Sequence, residues 1–360
     1  MTASPPPPSS SSSPSSSASS ASSASPPLSR ATPTLASPSP PSPPTARQGE
    51  LPLLYFGVDY YPEQWPREMI EEDLRRIRHE LGADVIRIGE FSWHLIEPSN
   101  GRFDFEFWDH VLEAAKSAGL KVMFGTPTAT MPAWLANGYP EVLSHDVDGR
   151  PRVFGGRRQY SFNSVLFRQY AARVTNKLLK RYGGERNIFA WQIDNEFGHE
   201  GSEDDYSPSS AAAWHVWLSW KYGKNITDLN QRWGNIFWSQ TYNAFEEVPM
   251  PQRTITQHNP ALLVDWRRFR SESIRLFLDE QSTVVRHFAW EGGQVTHNYP
   301  GGFFSKSMDF EVLSKHLDFV SYDNYPVWGG LEKPLPPAWV AMSLDIARSM
   351  LRAEDGRGRR

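Results

Sequence analysis

From Leu51 onward, short apolar runs alternate with longer stretches whose apolar residues recur at helical spacing. Leu54-Tyr55-Phe56-Gly57-Val58-Asp59 reads as a first strand, and Arg67 to Glu80 as the helix after it. Asp84 to Gly89 is a second strand, followed by a helix from Phe105 to Ala118 that Gly119 stops. Leu120 to Gly125 comes third, and after a long loop its helix covers about Val165 to Arg181. The fourth strand is Ile188 to Asp194. Helical segments follow at about Ser209 to Tyr222 and Ile226 to Arg232, then a long one from Ala261 to Ala289. Gln294 to Asn298 and Asp318 to Tyr322 are the fifth and sixth strands, and a last helix takes Pro337 to Arg352.

Strand and helix alternation of this kind predicts a parallel sheet, either doubly wound or closed into a (β/α)8 TIM barrel. No Gly-rich phosphate turn follows the first strand, which weighs against a nucleotide-binding sheet. Polar and aromatic residues instead gather after nearly every strand: Asp59-Tyr60-Tyr61, Glu90-Phe91-Ser92-Trp93, Asn195-Glu196, His297-Asn298 and Tyr322-Asp323. Barrel active sites draw on several strand ends at that rim, so the fold expected is an α/β barrel. About six of the eight strand–helix units are present, and the barrel is expected to be incomplete.

Composition changes this picture at one end. Residues 1–50 are dominated by Ser and Pro, with almost nothing to bury, and are expected to be a disordered extension to a barrel domain over 51–360. It is read as dispensable, with a linker or cell-wall spacer as the alternative. It lacks the basic start and apolar stretch of a signal peptide, and no run approaches a membrane span, so a cytoplasmic location without membrane contact is expected. Lys+Arg 37 against Asp+Glu 41, without a basic patch, argues against nucleic acid. Cys is absent, which removes disulfides, Cys-based zinc sites and a thiol nucleophile. Trp is abundant at 14 residues, which serves either a large core or the stacking of sugar rings.

The candidate chemistry centres on Trp191-Gln192-Ile193-Asp194-Asn195-Glu196, where an apolar strand surfaces into an amide and a carboxylate. Glu196 has the half-exposed position of a general acid, and partial desolvation is expected to raise its pKa. Asn195 is placed to hydrogen-bond a substrate hydroxyl. Asp194 is expected to point away, because alternate strand residues face opposite sides. Glu63 and Glu90, at the first two strand ends, read as loop braces, and His297 either orients a hydroxyl or is a satisfied packing residue.

The Asn195-Glu196 pair after a fourth strand resembles the clan of retaining glycosidases built on (β/α)8 barrels. Gly57-Val58-Asp59-Tyr60-Tyr61-Pro62-Glu63-Gln64-Trp65, Arg87-Ile88-Gly89-Glu90-Phe91-Ser92-Trp93, Gly155-Gly156-Arg157-Arg158-Gln159-Tyr160, Thr296-His297-Asn298 and Phe319-Val320-Ser321-Tyr322-Asp323-Asn324-Tyr325-Pro326 are similar to glycoside hydrolase family 42 in particular. The resemblance implies a retaining β-galactosidase acting on terminal β-D-galactosyl residues, with no cofactor and no catalytic metal. It makes Glu196 the acid/base and Asn195 a neighbour to the sugar. Arg157 matches an arginine that contacts galactose hydroxyls, a structural ion pair being the competing role and one that falls better to Arg158. Trp238 matches an aromatic wall of the sugar site, against a plain core role, and Tyr322 a tyrosine near the nucleophile. A homotrimer is the assembly the resemblance implies.

Two departures follow. Many relatives hold a structural zinc through cysteines near Ser161 and in the loop after the fourth strand. Here Ser161 and a Cys-free loop, Gly201 to Ser210, leave that loop to packing or to mobility. The family's nucleophilic Glu stands on a seventh strand, and the last helix runs into Gly356 to Arg360 about where that strand should begin, so the second carboxylate is expected to be missing from this chain. Rival readings are another glycosidase of the clan, acting on β-mannosides or other β-galactosides, and a non-catalytic sugar-binding relative.

Overall fold

The computed structural model describes residues 54–301, 308–327 and 333–351. The Ser/Pro-rich segment and the stretch from Gly356 to Arg360 lie outside the described residues. Strands β1 (Gly57–Asp59), β2 (Val85–Ile88), β3 (Lys121–Gly125), β4 (Ile188–Gln192) and β5 (Gln294–Thr296) pair in that order, all parallel. β6 (Asn298–Tyr299) and β7 (Ser321–Tyr322) form a further parallel pair. Only His297 separates β5 from β6, so the two are halves of one strand that hands the ladder on to β7. Six consecutive strands of a barrel result.

Register explains why the strands hold together. Ile88 pairs with Phe124, Phe124 with Trp191, and Trp191 with Val295, so one apolar row crosses four strands. All four side chains are fully buried. Helices α1 (Ile70–His79), α3 (Glu106–Ser117) and α5 (Val165–Tyr182) cover the sheet, with the short α2 (Trp93–Ile96) and α4 (Ala133–Gly138) in the connecting loops. Trp108, Val111, Leu112 and Ala115 make the buried stripe of α3, and the Trp108 ring meets Phe124 edge-on at 5.2 Å. Tyr182 of α5 stacks on the same Phe124 at 6.0 Å. Ser164 caps α5 by accepting from the Phe167 N–H.

Between β4 and its returning helix lies a helical insert, α6 (Pro208–Lys221) and α7 (Ile226–Trp233), with a small core of its own around Trp214, Leu218 and Leu229. Helix α8 (Pro260–Phe288) joins the two cores: Trp266 and Phe269 near its start pack into the insert, and Ile274, Phe277, Leu278 and Val285 into the barrel. The last helices are α9 (Phe310–Ser314) and α10 (Pro337–Ser349).

The strand order has open ends among the described residues: β1 pairs only with β2, and β7 only with β6. Exposed apolar side chains gather at those ends, Leu54 and Phe56 beside β1, and Tyr325, Val327, Trp339, Met342 and Leu344 after β7 and on α10. Unpaired strand edges flanked by uncovered apolar surface are where further strand–helix units of a barrel would dock.

Candidate active site

Beyond Gln192 the chain leaves the ladder and bends sharply. Asp194 (φ 53), Glu196 (φ 48) and Glu200 (φ 56) take left-handed backbone conformations, as does Arg158 (φ 63) on the loop after β3. Each such non-glycine position costs on the order of 1 kcal/mol or more and persists only where its surroundings hold it. The contacts that hold these are visible. Thr126 Oγ1 accepts the Asp194 N–H, and the Asp194 carboxyl accepts from Thr128 Oγ1 at 2.5 Å and from Tyr160 Oη at 2.8 Å. Asp194 thus points away from Glu196, but strand alternation would put residues two apart on one face, and the left-handed bends at Asp194 and Glu196 set its direction instead. Burial lifts its pKa to about 6.

His297 fixes the next step. Its Nε2 accepts the Phe197 N–H at 3.0 Å, which makes Nδ1 the protonated nitrogen, and Nδ1 donates to the Ile193 carbonyl at 2.7 Å. Burial pushes its pKa down to about 4, so the ring is neutral and stacks on Phe197 at 4.1 Å. Both nitrogens being occupied, His297 is the satisfied packing residue of the two roles open to it. Asn298 accepts the Glu196 N–H at 3.2 Å and donates to Asn195 Oδ1 at 3.0 Å.

Glu196 is 5% exposed, and its Oε2 accepts from Arg158 Nη1 at 3.0 Å and from Asn195 Nδ2 at 3.3 Å, with Arg157 Nη2 at 3.3 Å. Arg158 also donates from Nη2 to Glu200 at 2.6 Å. Burial alone would raise the Glu196 pKa. The Arg158 hydrogen bond, the charges of His199 and Arg158 and a hydrogen bond from Asp323 outweigh it and hold Glu196 below the ordinary carboxylate range. The expected rise is therefore corrected: the guanidinium groups beside the carboxyl, invisible as neighbours in the sequence, reverse the sign.

Asp323, directly after β7, was legible only as part of a polar strand end. Its N–H donates to the Tyr299 carbonyl at 2.8 Å, its Oδ2 accepts from Asn298 Nδ2 at 2.8 Å, and its carboxyl is hydrogen-bonded to that of Glu196. Burial first, then the charge and hydrogen bond of Glu196, raise its pKa to about 7.

At the ends of the first two strands Arg87 reaches Asp59 at 2.9 Å and Glu90 at 3.2 Å, and it meets Gln192 of β4 at 3.1 Å. Glu90 is fully buried and accepts from Tyr61 Oη at 2.8 Å, the bracing geometry expected of it. Gly125 makes room for it, because a Cβ there would lie 2.4 Å from the Glu90 Cβ. Glu63 sits beside Glu90, its pKa raised to about 6 chiefly by burial.

Arg157 is about a third exposed beside Glu196, Arg158 is buried, and both guanidinium groups pair with Glu196 and Glu200. Both line a cavity of about 480 Å³ with Arg152, Gln159, His199 and Glu200. Tyr322 is half-buried on β7 against the barrel core. Trp238 lies after α7 in the helical insert, 62% exposed, its ring stacked on Phe237 at 4.8 Å.

The zinc that the family resemblance implies does not fit. Ser161 Oγ and Ser210 Oγ donate to Asp205 Oδ2 at 2.5 Å, Ser207 Oγ does so at 3.1 Å, and the N–H groups of His145 and Ser207 donate to Oδ1. One carboxylate and three hydroxyls, bonded to one another and buried, are not a zinc ligand set. Among the described residues no cluster of three His, Asp or Glu side chains is arranged to hold a metal ion. The loop after β4 is thus tied down by hydrogen bonds. Asp205→Ala, which orphans those donors, should cost roughly 3 kcal/mol in urea unfolding, whereas a chelator should leave the melting temperature of the parent unchanged. A chelator-induced drop would contradict this reading of the loop.

The profile of glycoside hydrolase family 42, described as Beta-galactosidase, matches residues 59–356. The chain belongs to glycoside hydrolase family 42. It is 44% identical over 282 residues to a beta-galactosidase of Thermus thermophilus, an alignment covering 78% of this chain and 43% of that protein. It is 37% identical over 307 residues to beta-galactosidase Bga of Halorubrum lacusprofundi, covering 82% and 43%. The chain thus spans about 43% of the length of these relatives. Among solved structures, the beta-galactosidase of Halorubrum lacusprofundi superposes with a TM-score of 0.77 at 35% identity, over 83% of this chain and 46% of that one. That of the psychrophilic Marinomonas ef1 gives 0.73 at 39% identity, over 76% and 41%. A beta-amylase catalytic domain from Paenibacillus polymyxa, 13% identical, shares the fold alone, with a TM-score of 0.61 over 83% of each chain. The fold is accordingly part of an α/β barrel. Among the described residues no helix is long and apolar enough to cross a membrane.

Proposed function

We propose that this chain carries the acid/base half of a retaining β-galactosidase, with Glu196 as the proton donor. One observation carries the reading: a buried Glu at the end of the fourth barrel strand, in contact with Asn195, Arg157 and Arg158 and next to an open cavity. Glu196 protonates the glycosidic oxygen as the C1–O bond breaks. A nucleophilic carboxylate about 5 to 5.5 Å away, which we place on a seventh strand, forms the galactosyl-enzyme. Glu196 then takes a proton from water as that water attacks C1, releasing galactose with net retention. Arg157, about a third exposed, and Asn195 donate to sugar hydroxyls, and Tyr322 sits near the nucleophile. Trp238 supplies an aromatic wall of the sugar site. No cofactor enters this chemistry.

A general acid must arrive protonated, and the arginines oppose that. The negative charge of a second carboxylate restores it, because like charges raise each other's pKa. The acid role of Glu196 therefore depends on carboxyl neighbours.

A panel of nitrophenyl galactoside, mannoside and arabinoside tests the substrate reading, in a form whose barrel is closed by strands seven and eight. Galactoside should be turned over preferentially, and a preference for mannoside would overturn the assignment. The lowered pKa of Glu196 also favours a second reading, a non-catalytic galactose-binding protein. Its mark is saturable galactose binding without turnover in the closed form.

A further inference from the structure

The carboxyl groups of Glu196 and Asp323 lie in hydrogen-bond contact, and both are buried from most solvent. Two ionised carboxylates bring no proton to such a contact and repel one another. One of the pair is therefore a carboxylic acid. We propose that Asp323 is the positioning residue of the acid/base, holding jointly with Glu196 the single proton that Glu196 delivers to the leaving group. This rests on the reading of Glu196 as proton donor and extends it to a partner on another strand.

The surroundings are built for a shared proton. Glu196 faces Arg157 and Arg158 from the loop after β3, Asn195 and His199 from its own segment, and Asn298 from β6. Asp323 faces Asn298, Arg87 from β2 and Tyr325 from its own segment. Arg157 and Arg158 beside a lone Glu196 would keep it ionised at neutral pH and useless as an acid. A second carboxyl adds the negative charge that retains a proton. Asn298 sets the distance: its Nδ2 donates to Asp323 Oδ2 at 2.8 Å and to Asn195 Oδ1 at 3.0 Å, and its Oδ1 accepts the Glu196 N–H. The N–H of Asp323, bonded to Tyr299, keeps the carboxyl at the strand end.

The proton balance closes over a cycle. When Glu196 gives its proton to the glycosidic oxygen, the pair is left doubly negative and faces Arg157, Arg158 and Arg87. When water attacks, its proton returns to the pair. The two groups titrate as a unit, so the pKa values belong to the dyad.

Carboxyl ¹³C NMR of the chain, labelled at Asp and Glu, tests this without requiring turnover. In the parent protein the pair should lose its last proton near neutrality. In Asp323→Asn the titration near neutrality should disappear, and Glu196 should titrate alone at least about one pH unit below the last proton of the dyad, because the second carboxyl that retains the shared proton is gone. In Glu196→Gln, the midpoint of Asp323 should fall by a similar amount, which reads the same coupling from the other side if the first variant does not fold. A stability readout accompanies it. Asp323 holds a proton in the folded chain that the unfolded chain releases near pH 4, so its contribution declines as pH rises from about 4 to about 7. Asp323→Asn should remove that decline. Unchanged titration of the remaining carboxyl in the variants would overturn the proposal. Coupled titration in the parent together with undiminished galactoside hydrolysis by Glu196→Gln in a closed barrel would instead overturn only the proton-donor reading.

Discussion

Glu196→Gln, in a chain whose barrel is closed by strands seven and eight of a family 42 relative, should slow hydrolysis of lactose-like substrates by roughly 10² to 10⁴. Substrates with a leaving group as good as dinitrophenolate should lose far less in the first step, since they depart without protonation. The asymmetry is the diagnostic. Glutamine keeps the shape of the side chain and can still meet Arg158, so packing at the strand end should survive and melting temperatures should stay close. Equal losses on both substrates would mean that the variant damages the site rather than its proton transfer. Kinetics on a matched pair of galactosides, together with thermal melts, separate the two outcomes.

Trp191→Ala should be the most damaging single change to the fold. Trp191 is fully buried in the centre of the apolar row, stacks on Phe124 at 5.6 Å and stands five residues before Glu196. Removing a buried Trp of this kind costs about 3 to 5 kcal/mol, against a total stability on the order of 5 to 15 kcal/mol for a typical protein. Trp220→Ala provides the control, because that ring is 75% exposed on α6 and should shift stability by only about 0.5 kcal/mol or less. Urea unfolding followed by circular dichroism reads both. A cost for Trp191→Ala no larger than that of Trp220→Ala would remove the apolar row as the frame of the site.

The period of the apolar residues made the strands and long helices legible. Ala261 to Ala289 was expected as a helix and Pro260–Phe288 is one, because caps and spacing are local signals. The short helices α2, α4 and α9 escaped, since one or two turns leave too little period to read and take their conformation from tertiary packing. Glu196, Asn195 and Arg157 could be named from motifs, and the structure brings those three together. Arg158 and Asp323 were visible as residues but not as partners of Glu196: one lies 38 positions upstream on a left-handed turn, the other on a strand end that meets Glu196 only through the sheet. The sign of the Glu196 pKa shift depended on those partners, so it could not be read locally. The hydrogen-bonded knot at Asp205 was equally hidden. The missing cysteines excluded a zinc cluster, whereas the replacement needed Ser161, Ser207 and Ser210 to converge in space on one carboxylate.

The most direct measurement is azide rescue of Glu196→Ala in the closed barrel with an activated aryl β-galactoside. Without the acid/base, release of the galactosyl-enzyme by water should limit the rate, and azide, which needs no base, should fill the space left by the side chain. The rate should rise with azide concentration, and the product should be β-galactosyl azide, retention at C1 marking Glu196 as the acid/base. An α-galactosyl azide would make Glu196 the nucleophile, and no response to azide would leave it with no part in the chemistry.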